Sequence, residues 1–237
     1  MDFNTKYQCQ CWLSIRALSL IMNDSKDGPI SKKAGRTRAS ILAAAENLFS
    51  THGFASTRLE DVADELGLTR AALFYYFRDK QTLYDAMIAH TFGPLARQLE
   101  DLLADDGPVS ERIEAATTAW VDEIVSRPAR ARLILRIVAD GVDQPIQRIF
   151  FDNDQIPLKF WDLVEQGRKS GELEPLHDDP FHAASAIIGT TVFYVAALAS
   201  LMPKGQFEPL DPKQTEAHKR EAIDTTRRLL GIKPPKT

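Results

Sequence analysis

The sequence predicts an all-α protein. Apolar residues recur at helical spacing along nearly the whole chain of 237 residues. No segment alternates apolar and polar residues as a strand followed by a hairpin turn would, and prolines and glycines separate the periodic segments as they do at helix ends. With 44% hydrophobic and 26% charged residues and a net charge of −4, the composition excludes a mainly disordered chain and allows one or two folded domains.

Two helices are predicted at the start of the folded region. The first places the apolar residues of Ile41–Phe49 on one face and ends near His52–Gly53. The second follows a capping box, in which the Thr57 hydroxyl and the Glu60 carboxylate accept hydrogen bonds from the first backbone N–H groups. Gly67 ends this second helix and opens a turn.

Side-chain caps also predict a third and a fourth helix. Thr69 can cap a short helix that runs to Phe77, and Asp79 can cap a helix that starts at Lys80. Because proline lacks a backbone N–H and clashes with the preceding turn, Gly93–Pro94 is expected to kink or interrupt the fourth helix. The alternative is that Gly93–Pro94 simply ends the helix and forms a loop between domains.

The helices predicted further along include one very apolar segment. Residues 181–202 contain His182, serines, threonines and many alanines, which favours a core or interface helix over a membrane span, so no membrane association is expected. The helices predicted beyond residue 95 cover 110–125, 128–141, 145–171 with a kink at Pro157, 179–202 and 214–230.

The second and third helices have the spacing of a helix-turn-helix, whose second helix can enter a DNA major groove about 12 Å wide. Leu73 and Phe77 are four residues apart and can pack inward together. The three neighbouring aromatic residues at 74–76 cannot all face one core from a single turn, and a tyrosine hydroxyl can donate to a phosphate. The residues left on the outer side are Arg70, Ala71, Phe74 and Tyr75.

The segment 59–80, LEDVADELGLTRAALFYYFRDK, resembles the signature of the TetR/AcrR family of bacterial transcriptional regulators. The preceding helix also fits the first helix of that family, so that the resemblance covers residues 36–88. It implies a homodimer with an N-terminal three-helix helix-turn-helix DNA-binding domain and a C-terminal helical ligand-binding domain. It also implies that the protein binds a palindromic operator in double-stranded DNA, represses transcription there and is released from the DNA by a small-molecule effector.

The resemblance further implies which side chains contact DNA. Phe74 stands where a tyrosine is frequent in the family, so a contact with a thymine methyl group replaces a hydroxyl contact there. The positions that commonly touch phosphates are Thr57, Thr69, Tyr75, Tyr76 and Lys80. The positions near base edges are Arg70, Ala71 and Phe74.

The C-terminal part is expected to bind an effector whose identity the sequence does not give. Pockets between the helices of a bundle are lined by apolar and aromatic side chains with few polar groups, although an ordinary core uses the same residue types. The residues predicted to line the pocket are Trp120, Arg136, Phe160, Trp161, His182 and Phe193.

The same part is expected to form the homodimer. The helix around 181–201 is apolar on most sides, so it must be covered on most sides. Packing of the helices around 181–201 and 214–230 against a second copy would cover it with two-fold symmetry. A ligand near Trp120, Trp161 and Phe193 is then expected to shift the fourth helix as a lever, which changes the separation of the two recognition helices.

These features divide the chain into a disordered N-terminal extension (1–30), a DNA-binding domain (31–92) and an effector-binding and dimerisation domain (93–233). Residues 1–21 show no capped helix, which indicates disorder or an extension from an upstream start codon, with Met22 as the start.

No catalytic residue, cofactor or metal site is predicted. Cys9 and Cys11 have no second Cys/His pair at zinc spacing, and the five histidines are scattered. Two cysteines and no recognisable signal peptide favour a reducing, cytoplasmic setting. Two other classes of function stay open: a helical small-molecule-binding protein or enzyme whose N-terminal helices only pack, and an architectural DNA-binding protein without an effector.

Overall fold

The computed structural model describes residues 32–140, 156–203 and 205–232, and within them it contains helices and no strand, which confirms the all-α fold class. The predicted N-terminal extension and Met22 lie outside the described residues. Among the described residues, those up to Ser40 and those from Ile41 onward fall into separate compact units. The helices are α1 (Lys32–Ser56), α2 (Leu59–Glu65), α3 (Arg70–Tyr76), α4 (Lys80–Ala104), α5 (Val109–Ser126), α6 (Pro128–Asp140), α7 (Ile156–Ser170), α8 (Phe181–Phe193), α9 (Ala199–Leu201) and α10 (Pro212–Leu230), and the π-helical turn Tyr194–Leu198 joins α8 to α9.

Two of the predicted N-caps are confirmed. Thr69 Oγ1 accepts a hydrogen bond from the Ala72 backbone N–H at 3.2 Å, and Asp79 Oδ1 accepts one from the Thr82 backbone N–H at 2.7 Å. The hydrogen bond from the Thr82 backbone is the main reason that the pKa of the Asp79 carboxyl lies below its ordinary value. These caps fix the starts of α3 and α4.

The predicted capping box between Thr57 and Glu60 is wrong. α1 is interrupted at Gly53, which has a φ of 80°, and the Thr57 hydroxyl is buried and donates to the Gly53 carbonyl at 2.9 Å. Arg58 therefore becomes the N-cap of α2, and its backbone N–H donates to Asp61 Oδ2 at 2.7 Å. The hydroxyl that the sequence assigned to α2 instead satisfies a carbonyl at the end of α1.

Buried side chains in the described residues form three hydrophobic clusters. The N-terminal cluster includes Ile41, Leu42, Phe49, Val62, Leu73, Phe77, Leu83, Met87, Ile88, Phe92, Leu133 and Ile137. The central cluster includes Leu95, Leu99, Trp120, Val121, Ile124, Ala131, Ile187, Val192, Val195 and Ala222. The distal cluster includes Leu103, Val109, Ile113, Leu163, Val164, Leu173, Ala183 and Leu230.

The helix α4 runs without interruption through Gly93–Pro94 to Ala104. The helix therefore neither breaks nor ends at Gly93–Pro94, so the alternative of a loop between domains is wrong, while a kink at Pro94 stays a prediction. The residues around Pro94 are buried on one face, and packing of that face stabilises the helix against the loss of one backbone hydrogen bond. As a result α4 contributes side chains to the N-terminal, central and distal clusters in turn.

The segment Phe181–Leu201 is, among the described helices, the one that is long and apolar enough to cross a membrane by length and composition. Its mean hydropathy is 1.8, yet only 22% of it is buried. In this structure α8 packs against α5, α6 and α10 through one side, which buries Ala183 and Ile187. Ile188 and Phe193 of the same helix are 45% and 47% exposed, so part of the apolar surface of this segment has no cover within the described chain.

Aromatic stacking ties the π-helical turn to α10. The Tyr194 ring lies parallel to the His218 ring, with centroids 3.9 Å apart, and the Tyr194 hydroxyl donates to the Pro209 carbonyl at 3.2 Å. Burial lowers the pKa of His218 and raises the pKa of Tyr194. Both rings are therefore held in their neutral forms near pH 7, where they can stack without burying a charge.

A left-handed glycine ends α10. Gly231 has a φ of 58°, and a Cβ built on it would lie 2.1 Å from the Glu174 carbonyl oxygen. The same contact region contains the hydrogen bond from the Glu174 N–H to the Leu230 carbonyl at 3.1 Å. The end of α10 is therefore held close to the backbone that follows α7.

We predict that Gly231→Ala lowers the free energy of unfolding by clearly more than Gly171→Ala. Gly171 has a φ of 79° but no atom within 4 Å of a built Cβ, so its replacement costs only the left-handed conformation, about 1–2 kcal/mol. Gly231→Ala adds the collision with Glu174, worth about 1–3 kcal/mol more. Urea titration of both variants measures the difference. Equal losses would contradict the close approach.

Candidate functional site

The helix-turn-helix predicted at residues 57–77 is present. Gly67 has a φ of 63° in the turn, and the Leu68 N–H donates to the Ala63 carbonyl at 2.9 Å. Leu73 and Phe77 are buried, as their spacing predicted. These contacts fix α3 on α2 by its inner side and direct its other side outward.

The three neighbouring aromatic residues of α3 lie in different surroundings. Tyr76 is half-buried and packs against the N-terminal cluster, whereas Phe74 is 38% and Tyr75 81% exposed. The Tyr75 and Tyr76 rings meet edge to face, with centroids 5.2 Å apart. A tyrosine exposed to this extent contributes little to the core, so its phenol is accessible to a partner on the outer side of α3.

Arg70 and Ala71 lie on the same outer side and are exposed. Arg70 Nε pairs with Glu60 Oε1 at 3.1 Å, and its guanidinium lies 5.3 Å from the centroid of the Phe74 ring. An exposed ion pair of this kind is worth about 0–1 kcal/mol. Arg70 can therefore exchange Glu60 for a base edge or a phosphate at little cost.

Two of the residues predicted to contact phosphate have other hydrogen-bond partners in the structure. Thr57 is buried, with its hydroxyl on the Gly53 carbonyl. Lys80 Nζ donates to the Phe54 carbonyl at 2.8 Å and lies 4.4 Å from the Phe54 ring centroid. Lys80 thus stabilises the C-terminal end of α1. Thr69, by contrast, is exposed, and a hydroxyl that accepts one hydrogen bond can still donate its own hydrogen.

Two exposed arginines at the ends of these helices were missed by the sequence reasoning. Arg58 is the exposed N-cap of α2, and the Arg78 side chain directly after α3 is 85% exposed. Arg78 donates to Thr82 Oγ1 at 3.2 Å across the start of α4. Their positions in the sequence, one arginine at each end of the helix-turn-helix, could have identified them.

A second candidate site is a cavity of about 140 Å³ between α4, α5, α7 and α8. Of the six residues predicted to line a pocket, the structure brings Trp120 and Phe160 together here. The other lining residues are apolar apart from one threonine. They are Leu99, Leu103, Ile113, Ala116, Thr117, Ile156, Pro157, Phe181, Ala184, Ile187 and Ile188.

The other four residues predicted for the pocket lie elsewhere. Trp161 packs its ring against Phe181, with centroids 5.5 Å apart, just outside the lining. His182 and Phe193 are exposed on α8. Arg136 is exposed on α6, and its Nη2 donates to the Thr51 carbonyl of α1 at 3.0 Å. Within the described ranges, no group of three metal-ligating side chains comes together.

Comparison with known proteins relates the helix-turn-helix to one family. Residues 41–87 match the sequence profile of the bacterial regulatory proteins of the tetR family. Over 209 residues the chain is 25% identical to the HTH-type transcriptional regulator RutR of Escherichia coli strain K12, a match that covers 87% of this chain and 95% of RutR.

Two solved structures have a similar fold. The ketosteroid transcriptional regulator KstR2 of Mycobacterium tuberculosis superposes with a TM-score of 0.64 at 20% identity, over 84% of this chain and 95% of that one. The transcriptional regulator FadR of Bacillus subtilis, solved in complex with stearoyl-CoA, gives a TM-score of 0.61 at 14% identity, over 82% of this chain and 99% of that one.

Proposed function

We propose that this chain binds a palindromic operator as a homodimer and represses transcription there. The chain belongs to the TetR family and is a ligand-responsive DNA-binding transcriptional regulator. A small molecule in the cavity between α4, α5, α7 and α8 releases it. The observation that carries the proposal is the exposed outer side of α3 in a helix-turn-helix. The inner side chains of this helix-turn-helix share a hydrophobic cluster with α4, which also lines the cavity. The protein works in the cytoplasm and catalyses no reaction.

In this proposal residues 31–92 form the DNA-binding domain and residues 93–233 bind the effector and the second copy. The outer side of α3 enters the major groove, where Arg70, Ala71 and Phe74 approach base edges. Phosphate contacts come from the exposed Thr69 hydroxyl, the phenols of Tyr75 and Tyr76, and the exposed arginines at 58 and 78. Lys80 contributes mainly by holding the end of α1.

We predict that Arg70→Ala weakens binding to the operator by about 1–3 kcal/mol, because a bidentate contact to one guanine is lost. Binding to a scrambled duplex should change much less. Glu60→Gln is the matched partner variant: it removes the carboxylate that pairs with Arg70 and should tighten binding to both duplexes. Fluorescence anisotropy with the two duplexes measures both effects. An equal loss on both for Arg70→Ala would show that Arg70 only holds phosphate.

The uncovered apolar side of the segment Phe181–Leu201 supports the homodimer. Ile188, Phe193 and Leu201 are 45%, 47% and 69% exposed along it. Several large apolar side chains exposed on one helix favour a partner that covers them. α10 packs beside α8, so the same two helices of a second copy can complete an interface with two-fold symmetry.

We predict that Phe193→Lys converts the protein from a dimer to a monomer at micromolar concentration. The charge would have to be buried between two copies of α8 without a partner. Val138→Lys, at a 76% exposed position on α6, is the matched control and should leave the dimer intact. Light scattering distinguishes the two states. A native protein that is monomeric in this measurement would disprove the interface.

Two helices connect the effector cavity to the helix-turn-helix. α4 lines the cavity through Leu99 and Leu103 and carries the Asp79 cap at its other end, so a displacement by ligand can act on it as a lever. α6 packs Leu133 and Ile137 into the N-terminal cluster, and Ala131 lies in the central cluster. Both helices therefore couple the two sites through continuous packing.

A buried charged group strengthens the α6 connection. Arg130 is 2% exposed and pairs with Glu123 of α5. Burial lowers the pKa of Arg130, and the charge of Glu46 on α1 acts in the opposite direction. Glu46 in turn accepts a hydrogen bond from the Thr91 hydroxyl of α4 at 2.8 Å. A movement of α6 against α5 must disturb the buried pair of Arg130 and Glu123, and a position in which Arg130 is buried without its partner is unfavourable.

We predict that operator DNA slows amide hydrogen exchange in α6 of the native protein and that Arg136→Ala removes this effect. Arg136 makes the hydrogen bond from α6 to the Thr51 carbonyl, and its side chain is exposed, so the variant should fold normally. Protection of α3 by DNA serves as the control, since it should persist in the variant. Unchanged protection of α6 in Arg136→Ala would contradict coupling through this contact.

A further inference from the structure

The wall of the cavity between α4, α5, α7 and α8 offers a ligand almost no polar group. Trp120 lines it, but the indole Nε1 has essentially no accessible surface, so the ring contacts the cavity through its carbon atoms. Thr117 is the other lining residue with a polar side-chain atom in the described part of the chain, and its hydroxyl already donates to the Ile113 carbonyl at 2.9 Å. A ligand in this cavity therefore meets an apolar surface.

This wall selects against charged and polar ligands. None of the lining side chains within the described ranges is charged. An ionised carboxylate or ammonium placed there would lose its hydration without gaining a partner of opposite charge, and a hydroxyl would lose its hydrogen bonds to water in the same way. Water is also a poor competitor for this space, because a buried water molecule needs two to four polar partners.

The size of the cavity limits the ligand further. Its volume of about 140 Å³ is close to that of an apolar cavity of about 150 Å³ known to take up benzene. Leu99 and Leu103 of α4 and Ile113 of α5 form a buried part of the wall, where they can contact a small apolar group closely. A molecule with one hydrocarbon ring and a short substituent therefore fits this space.

We infer that the effector of this regulator is an uncharged, hydrocarbon-like molecule with about the volume of one substituted ring, bound by burial of its apolar surface and by no hydrogen bond. This inference rests on the proposed function, since it names the ligand class of the same cavity. The cavity distinguishes ligands by the cost of burying their polar groups, because a hydroxyl or a charge on the ligand would be left without a partner.

Three probes of nearly the same shape test this selectivity. Ethylbenzene, benzyl alcohol and benzylammonium differ only in their terminal group, which is a methyl, a hydroxyl and a charged ammonium. Isothermal titration of the full chain should show ethylbenzene binding about 5-fold to 140-fold more tightly than benzyl alcohol, which corresponds to about 1–3 kcal/mol for a hydroxyl buried without a partner. Benzylammonium should bind more weakly than both. The heat capacity change on binding ethylbenzene should be negative, as burial of apolar surface requires.

Ala116→Leu tests whether the probe lies in this cavity, because Ala116 of α5 lines it and a larger side chain takes up part of the space. Ethylbenzene should bind this variant about 5-fold to 140-fold more weakly, the effect of about 1–3 kcal/mol of overpacking. Ala115→Leu is the matched control, since Ala115 is also partly buried but lies outside the lining, and it should keep the native affinity. Far-ultraviolet circular dichroism and thermal melting establish that both variants are folded. If Ala116→Leu does not fold, Ala184→Leu fills the same cavity from α8.

The outcomes distinguish this inference from the proposed function. No binding of ethylbenzene, or binding of benzyl alcohol or benzylammonium as tight as that of ethylbenzene, would overturn the inference. Unchanged ethylbenzene affinity in the folded cavity-filling variant would also overturn it, because the probe would then lie elsewhere. Operator affinity is measured separately with and without ethylbenzene. If the predicted binding pattern is found but operator affinity does not change, the ligand class of the cavity stands and release from DNA by this cavity is disproved.

Discussion

The continuous packing of α4 is the constraint on which the rest of the described structure depends. One helix supplies Leu83 to the N-terminal cluster, Leu95 to the central cluster and Leu103 to the distal cluster. Its N-cap at Asp79 lies directly after α3, and its C-terminal turns form a wall of the cavity proposed to bind the effector. Because close-packed interiors transmit strain, the coupling proposed above between the cavity and α3 would act through this helix.

The same packing explains why the surface of α3 can be specialised. Leu73 and Phe77 provide its attachment to the N-terminal cluster, and Lys80 secures the end of α1 beside it. The outer side chains therefore carry little of the folding free energy and are available for recognition. The cavity is the opposite case, since Trp120 belongs both to the central cluster and to the cavity lining, so a change of this side chain would affect the stability of the fold as well as the shape of the cavity.

The sequence predicted the features that depend on local chemistry. The caps at Thr69 and Asp79 follow from side chains next to their own helix starts, and the inward packing of α3 follows from spacing alone. The role of Thr57 could not be predicted in this way. Its hydroxyl lies between two helices, and the break in α1 at Gly53 places a free carbonyl where this hydroxyl can donate to it. The partner of Lys80 lies 26 residues away, and most cavity residues are ordinary apolar side chains whose grouping exists only after four helices pack.

The position of α6 has a consequence for modularity. Leu133 and Ile137 belong to the N-terminal cluster although they lie well beyond the helix-turn-helix in the chain, and Arg136 reaches the end of α1. A chimera in which the helices before α5 come from another protein would leave these side chains of α6 packed against residues of that other protein. The segments that must be exchanged together are therefore not continuous in sequence. A variant that receives α1–α3 from another regulator also needs the residues of α6 that pack against them.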